Sequence, residues 1–360
     1  MTAAGGGPGR GDHGVGNHGG GNHGHAHAGA PRRAGHGRWA GRHRRGEQPM
    51  VPSAEFGSYY GRPVLKVPAW EPADIAGYFF LGGLAGASSV LGAGAQLTGR
   101  PGLARTAKAT AATGISAAMV ALVHDLGRPA RFINMLRVLK VTSPMSVGSW
   151  LLSAYVPAAG AAAVTAATRR GRGVGAAATA ASAVLGPAIA TYTAVLISDT
   201  AVPSWHAGYR EMPFVFTGSA AAAAGGAGLL GAPLAESEPA RYLAVAGSVL
   251  EMAAFERMIQ RMGLPAEPYS RGLSGIYRNA ARALLTAGSA GALLTRRSRL
   301  GSALSGAALV AASAATRFSV FHAGVASARD PKYTVVPQRQ RGDDGQQRSG
   351  HDAGQQYSGH

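Results

Sequence analysis

The chain has 360 residues and a formal net charge of +18, yet only 14% of its residues are charged and none is cysteine. Without thiols it has no disulfides, no thiolate nucleophile and no Cys-ligated iron–sulfur cluster of its own. A mean hydropathy near zero averages very polar ends with long uncharged runs; the arginines flank those runs instead of lining one face, which argues against a nucleic-acid partner.

Residues 1 to about 50 are rich in Gly and His, with Arg32, Arg33, Arg42, Arg44 and Arg45 among them. Such a composition cannot bury enough apolar surface to fold. It has no apolar stretch of the secretory-signal kind. His13, His18, His23, His25 and His27 read as part of a disordered tail without a dedicated ligand, loose metal binding being the alternative.

Eight apolar runs follow, at about 73–97, 105–124, 147–168, 174–198, 212–232, 240–258, 279–295 and 301–325. Each is near the roughly 20 residues that cross a bilayer. The expectation is an all-α, polytopic membrane helix bundle of about eight transmembrane helices. It comprises a polar tail over 1–67, a helical domain over 68–328 and a second polar tail over 329–360. Charged residues intrude near the ends of the second, sixth and seventh runs. An even count puts both termini on one side. The short connections on the other side include the basic turns Gly99-Arg100-Pro101, 169–172 and 296–299, and an acidic one with Glu236 and Glu238. Gly82 and Gly86, four residues apart, permit close helix approach.

The connection from His124 to Trp150 has more order than a plain linker needs. Gly127-Arg128-Pro129 stops one helix and Ser143-Pro144 opens the next. Apolar residues between Phe132 and Leu139 fall near helical spacing, as in a segment lying flat on a membrane surface. Its text, DLGRPARF followed by SPMSVGSW, resembles the signature loop of the NrfD / polysulfide reductase membrane-subunit family. Tyr192-Thr193 and the tail segment from Arg329 to Gln338 agree, so the resemblance covers about residues 68 to 340. It implies a multi-pass subunit of the cell membrane that exchanges electrons with menaquinone or ubiquinone. Its implied partners are a ferredoxin-like iron–sulfur subunit and, beyond it, a molybdopterin catalytic subunit. The 124–150 loop, with Arg128 and Arg131, would help to form the docking surface.

The residues can be weighed against that expectation. Haem needs axial histidines within the spans, and His124, His206 and His322 fall near span ends, so none is expected. A quinone site needs an apolar slot, a hydrogen-bond donor for each carbonyl and a protonatable group. Asp74 and Tyr78 lie one turn apart on the first span and share a face. Tyr192 lies about two turns from the end of the fourth span, Asp199 at that end, and His124 and Asp125 at the end of the second. All gather at one membrane face if the helices pack in order. The resemblance carries the quinone contact onto Tyr192 and, less closely, the family's polar pair onto Asp74 and Tyr78; Ala194 stands where the family often has Gly. Interfacial anchoring is the alternative for each, above all for Tyr78. Glu251 and Arg317 lie deeper, where a lone charge is costly; a structural ion pair and a proton path are the two readings. They favour a proton- or ion-translocating protein as the alternative function, a passive anchor without a quinone site being the third.

Overall fold

A computed structural model describes residues 64–337 and 339, apart from 69, 128 and 129. The N-terminal histidines, Arg128, Gln338 and the end of the C-terminal tail lie outside the described residues. The helices are α1 Pro72–Leu97, α2 Pro101–Leu126, α3 Ala130–Met135, α4 Pro144–Thr168, α5 Arg172–Ser198, α6 Pro203–His206, α7 Met212–Gly231, α8 Glu238–Met262, α9 Gly272–Leu294 and α10 Arg299–Arg329. Among the described residues there is no strand.

Apart from the short α3 and α6, these helices fall on the eight predicted apolar runs. Six of them, α1, α2, α4, α5, α7 and α10, are long and apolar enough to cross a membrane. The other two are more polar: Arg241, Glu251, Glu256 and Arg257 interrupt α8, and Arg278 and Arg282 interrupt α9. Both still run from one end of the bundle to the other, as their connections show. At one end the 3₁₀ segment Leu264–Ser270 between them is tied to α6 and to the chain after α10. Ser204 Oγ donates to Pro265 O (2.8 Å), Tyr269 Oη to Ser204 O (3.2 Å) and Tyr333 Oη to Glu267 Oε2 (3.0 Å). At the other end Glu236, in the turn before α8, accepts from the Gly102 and Leu103 amides at 2.6 and 3.0 Å, filling unsatisfied donors at the start of α2. There Arg299 Nη1 donates to Leu229 O (2.7 Å), joining the start of α10 to the end of α7.

Local sequence sets the helix ends. Proline occupies the first turn of α1, α2, α4 and α7, where its missing N–H costs no helical hydrogen bond. Gly127, at φ 69°, closes α2 with its N–H on His124 O. The amphipathic stretch after it is helical only over Ala130–Met135; the chain then turns out to Ser143 instead of staying helical to Leu139.

The long helices form two four-helix groups. In the first, α1 packs on α2 and α5, and α5 on α4; in the second, α7 packs on α8 and α10, and α10 on α9. The groups meet along α1 and α7. Small residues allow the tightest approaches. A Cβ on Gly86 of α1 would collide with the Gly186 carbonyl oxygen of α5, and one on Gly186 with the Gly86 carbonyl oxygen. Gly226 of α7 and Gly306 of α10 repeat this reciprocal contact in the second group. Gly82, expected to share in such an approach, faces open space. Polar ties add to the packing, as where Tyr155 Oη of α4 donates to Ala85 O of α1 at 2.7 Å.

Candidate functional site

A cavity of about 120 Å³ opens at the end of the first group where α1 begins and where α2 and α5 end. Its wall combines aromatic and aliphatic side chains, including Phe79, Phe132 and Met145, with Tyr78, Tyr192 and Asp125. Tyr78 and Tyr192 meet edge to face, ring centres 6.5 Å apart at 75°, the arrangement aromatic quadrupoles favour. The Tyr192 hydroxyl is buried without a hydrogen-bond partner. Room for its ring comes from Gly148 of α4: a Cβ there would lie 2.5 Å from Tyr192 Cε2. Sequence reading took the SPMSVGSW motif as a helix start and a family mark and missed this role, although the glycine was in plain view.

The other candidates divide. Asp74 does not line the cavity; its Oδ2 lies 2.6 Å from His124 Nδ1, tying the start of α1 to the end of α2. The His124 side chain is 73% exposed, so this pair faces water. Asp125, next in the chain, is half-buried and reaches the cavity wall. Asp199 caps the end of α5, is exposed and does not join the cavity. Arg131 is exposed and donates from Nη1 to Leu126 O at 2.8 Å, holding the end of α2.

Glu251 and Arg317 do not form the direct ion pair that was one of the two expectations. Glu251 Oε1 accepts from Thr316 Oγ1 at 2.5 Å and its Oε2 has no partner. Arg317 Nη2 donates to Phe216 O at 2.9 Å, and the guanidinium lies 3.6 Å from the centre of the Phe216 ring. Its Nε and Nη1 are buried and unpartnered. The reason is helical phase. Successive residues of α10 are turned by about 100°, so Thr316 meets α8 while Arg317 meets α7. Glu251 and Thr316 also line a larger cavity, about 310 Å³, between α8, α9 and α10, together with Glu256, Arg278 and Arg282.

Among the described residues no group of three or more His, Cys, Asp or Glu is placed to hold a metal ion. No curated protein matches the chain. Residues 69–237 match the family model described as polysulphide reductase, NrfD. The match takes in the aromatic cavity with Tyr78, Asp125, Gly148 and Tyr192, and ends before Glu251, Arg317 and the tail segment that begins at Arg329. Over residues 69–237, just under half of its length, the chain is similar to the NrfD family.

Proposed function

We propose that this multi-pass membrane protein is a subunit of an oxidoreductase complex and exchanges electrons between a partner iron–sulfur subunit and a quinone held against Tyr192. The observation that carries the reading is the buried, unpartnered Tyr192 hydroxyl in the wall of an aromatic-lined cavity. A buried polar hydrogen without an acceptor costs free energy that a ligand's carbonyl oxygen would recover. At about 120 Å³ the cavity is well below the roughly 300 Å³ from which pockets bury a whole drug-sized ligand. It suits a ring head group whose apolar tail stays outside.

A quinone bound there supplies two-electron, two-proton carrier chemistry. The chain's own residues orient it and manage the proton. Tyr192 donates its O–H to a carbonyl oxygen, and the Tyr78, Phe79 and Phe132 side chains exclude water. The Asp125 carboxyl, in the same wall, takes or gives the proton. His124, adjacent in sequence and open to water, exchanges it with the outside while Asp74 fixes its ring. Electrons reach the cavity from its outer wall. Phe132 and Met135 line the cavity, while Ile133, Val138, Leu139 and Val141 of the same segment are exposed beside Arg131, Arg137 and Lys140. An apolar patch with a basic rim suits an iron–sulfur protein with an acidic face, in a complex with a molybdopterin enzyme.

The test is Tyr192→Phe in the assembled complex. It removes one oxygen and keeps the ring, so assembly is retained. Loss of one neutral hydrogen bond costs about 0.5–1.5 kcal/mol, a rise of about two- to tenfold in the KM for quinone. Turnover with an artificial soluble acceptor at the partner subunit stays unchanged. Unaltered quinone kinetics in an intact complex would remove Tyr192 from the site. A second reading, proton translocation, rests on the unpartnered Glu251 Oε2 beside the 310 Å³ cavity, which has space for water to reach a carboxyl at mid-membrane depth.

A further inference from the structure

At the opposite end of the first group from Tyr192, the C-terminal ends of α1 and α4 and the start of α2 border an open cavity of about 390 Å³. Arg100, Arg105, Lys108 and Arg169 line it, and no carboxylate does. Among the described residues none of the four is in an ion pair. Lys108 is only 7% exposed, and its ammonium finds one neutral acceptor, the Gln96 side-chain oxygen. Arg105 donates from Nε to a backbone oxygen, Pro101 O, at 3.2 Å. Glu236, the carboxylate at the start of α2, is engaged by the Gly102 and Leu103 amides. A buried cation without a counter-charge is unfavourable at a membrane boundary; the half-buried Arg100 and the exposed Arg105 and Arg169 add like charge around Lys108.

Arg169 adds a second, independent observation. Its φ of 57° makes it the one non-glycine in the left-handed region among the described residues. A side chain there is sterically penalised, and a glycine would satisfy the backbone. The position therefore keeps a guanidinium on the cavity rim against local preference. Leu97, next to the lining residue Gln96 in the chain, is an exposed apolar side chain at the end of α1.

We propose that this cavity binds the phosphate of an anionic membrane lipid, with Lys108 and the three arginines around the phosphate and the acyl chains along α1 and α4. A phosphate-ester anion is the shared chemistry. The lipid is favoured over free phosphate because the cations sit at a helix-bundle end beside the exposed Leu97, in the manner of basic pockets between transmembrane helices.

Thermal unfolding and native mass spectrometry of the purified full chain in neutral detergent test this. Phosphatidylglycerol, phosphatidylcholine and inorganic phosphate are the added probes. Phosphatidylglycerol is expected to stay bound and to raise the unfolding temperature, while the other two do neither. Lys108→Gln is expected to abolish the shift. Because that variant alters a buried residue, Arg169→Gly is the decisive partner. It relieves the backbone and raises the basal unfolding temperature, yet weakens retention of phosphatidylglycerol. Equal shifts from both lipids, a full shift from inorganic phosphate, or undiminished phosphatidylglycerol binding by Arg169→Gly would each overturn the proposal.

Discussion

The contact between Gly86 and Gly186 makes the sharpest quantitative prediction. Adding one methyl at Gly86 puts a carbon against the Gly186 carbonyl oxygen and 3.1 Å from the Ala190 nitrogen. These are backbone atoms that cannot rotate away, so α1 and α5 must separate. Overpacking of this kind costs about 1–3 kcal/mol, against a helix-propensity gain of about 0.5–1 kcal/mol for replacing a mid-helix glycine. Gly86→Ala is therefore expected to destabilise. Gly82→Ala, four residues earlier on the same helix and facing open space, shows only the gain. Gly186→Ala repeats the loss, since its methyl meets Gly86 O. In the double variant the second methyl enters a gap the first has opened, so the two losses are less than additive. Unfolding in mixed micelles of rising SDS fraction reads all four variants. Separation at Gly86 also loosens the Tyr78–Tyr192 contact two turns away, so under the proposed function the KM for quinone is expected to rise in Gly86→Ala and not in Gly82→Ala. Equal stability of the Gly82 and Gly86 variants, or strictly additive losses at Gly86 and Gly186, would refute the close-contact argument.

Three further outcomes follow from other parts of the structure. In the cysteine-free chain, Val64→Cys, Ser270→Cys and Val336→Cys are expected to label from the same membrane face; labelling of Ser270→Cys from the opposite face would mean that α8 and α9 do not cross. Glu251→Gln keeps an acceptor for Thr316 and leaves Arg317 on Phe216, so assembly should be normal while any proton-coupled turnover slows; a loss of assembly would point to a structural role. Lys332 and Tyr333 hydrogen-bond to Glu267 and hold its carboxyl below the usual range. A depressed folded-state value means the contribution is full above the unfolded value, about 4.3, and is lost as pH falls through the lower folded one. A dye on Val336→Cys should therefore gain mobility in that acidic window, and Glu267→Gln should show the gain already at neutral pH.

The fold was legible because its determinants are local. Apolar runs of bilayer length set the long helices, and Gly127, Ser143 and the first-turn prolines set their ends. The aromatic cavity was partly legible for the same reason: Tyr78, Asp125 and Tyr192 each sit at a known distance from a helix end, and ends cluster when helices pack in order. What failed depended on which way a side chain faces. Asp199 has the right depth but the wrong direction. Arg317 has the right depth for Glu251, yet one step of helical phase turns it to Phe216. Gly148 carried no chemistry to flag it, and its meaning appears only when Tyr192 lies across it.

The two four-helix groups share an architecture but use it differently. The first leaves an aromatic-lined opening at the end with Tyr192. At the same end the second is filled by Trp205, whose Nε1 donates to Val320 O at 2.7 Å, and by the buried Tyr269; its unsatisfied polar atoms, on Glu251, Arg278, Ser289 and Arg317, lie elsewhere. A continuous line of contacts joins the two places. Tyr192 touches Tyr78, Tyr78 lies 6.0 Å from Phe79, Phe79 lies 6.1 Å from Phe216, and Phe216 carries the Arg317 guanidinium. Contiguity becomes coupling only where some member has two discrete arrangements. The three aromatic links are held in a packed core. Arg317 has the means to change partner, because its Nε and Nη1 lack acceptors while Glu251 Oε2 lacks a donor. Any energetic link between the two cavities along this line therefore has to pass through the position of that guanidinium.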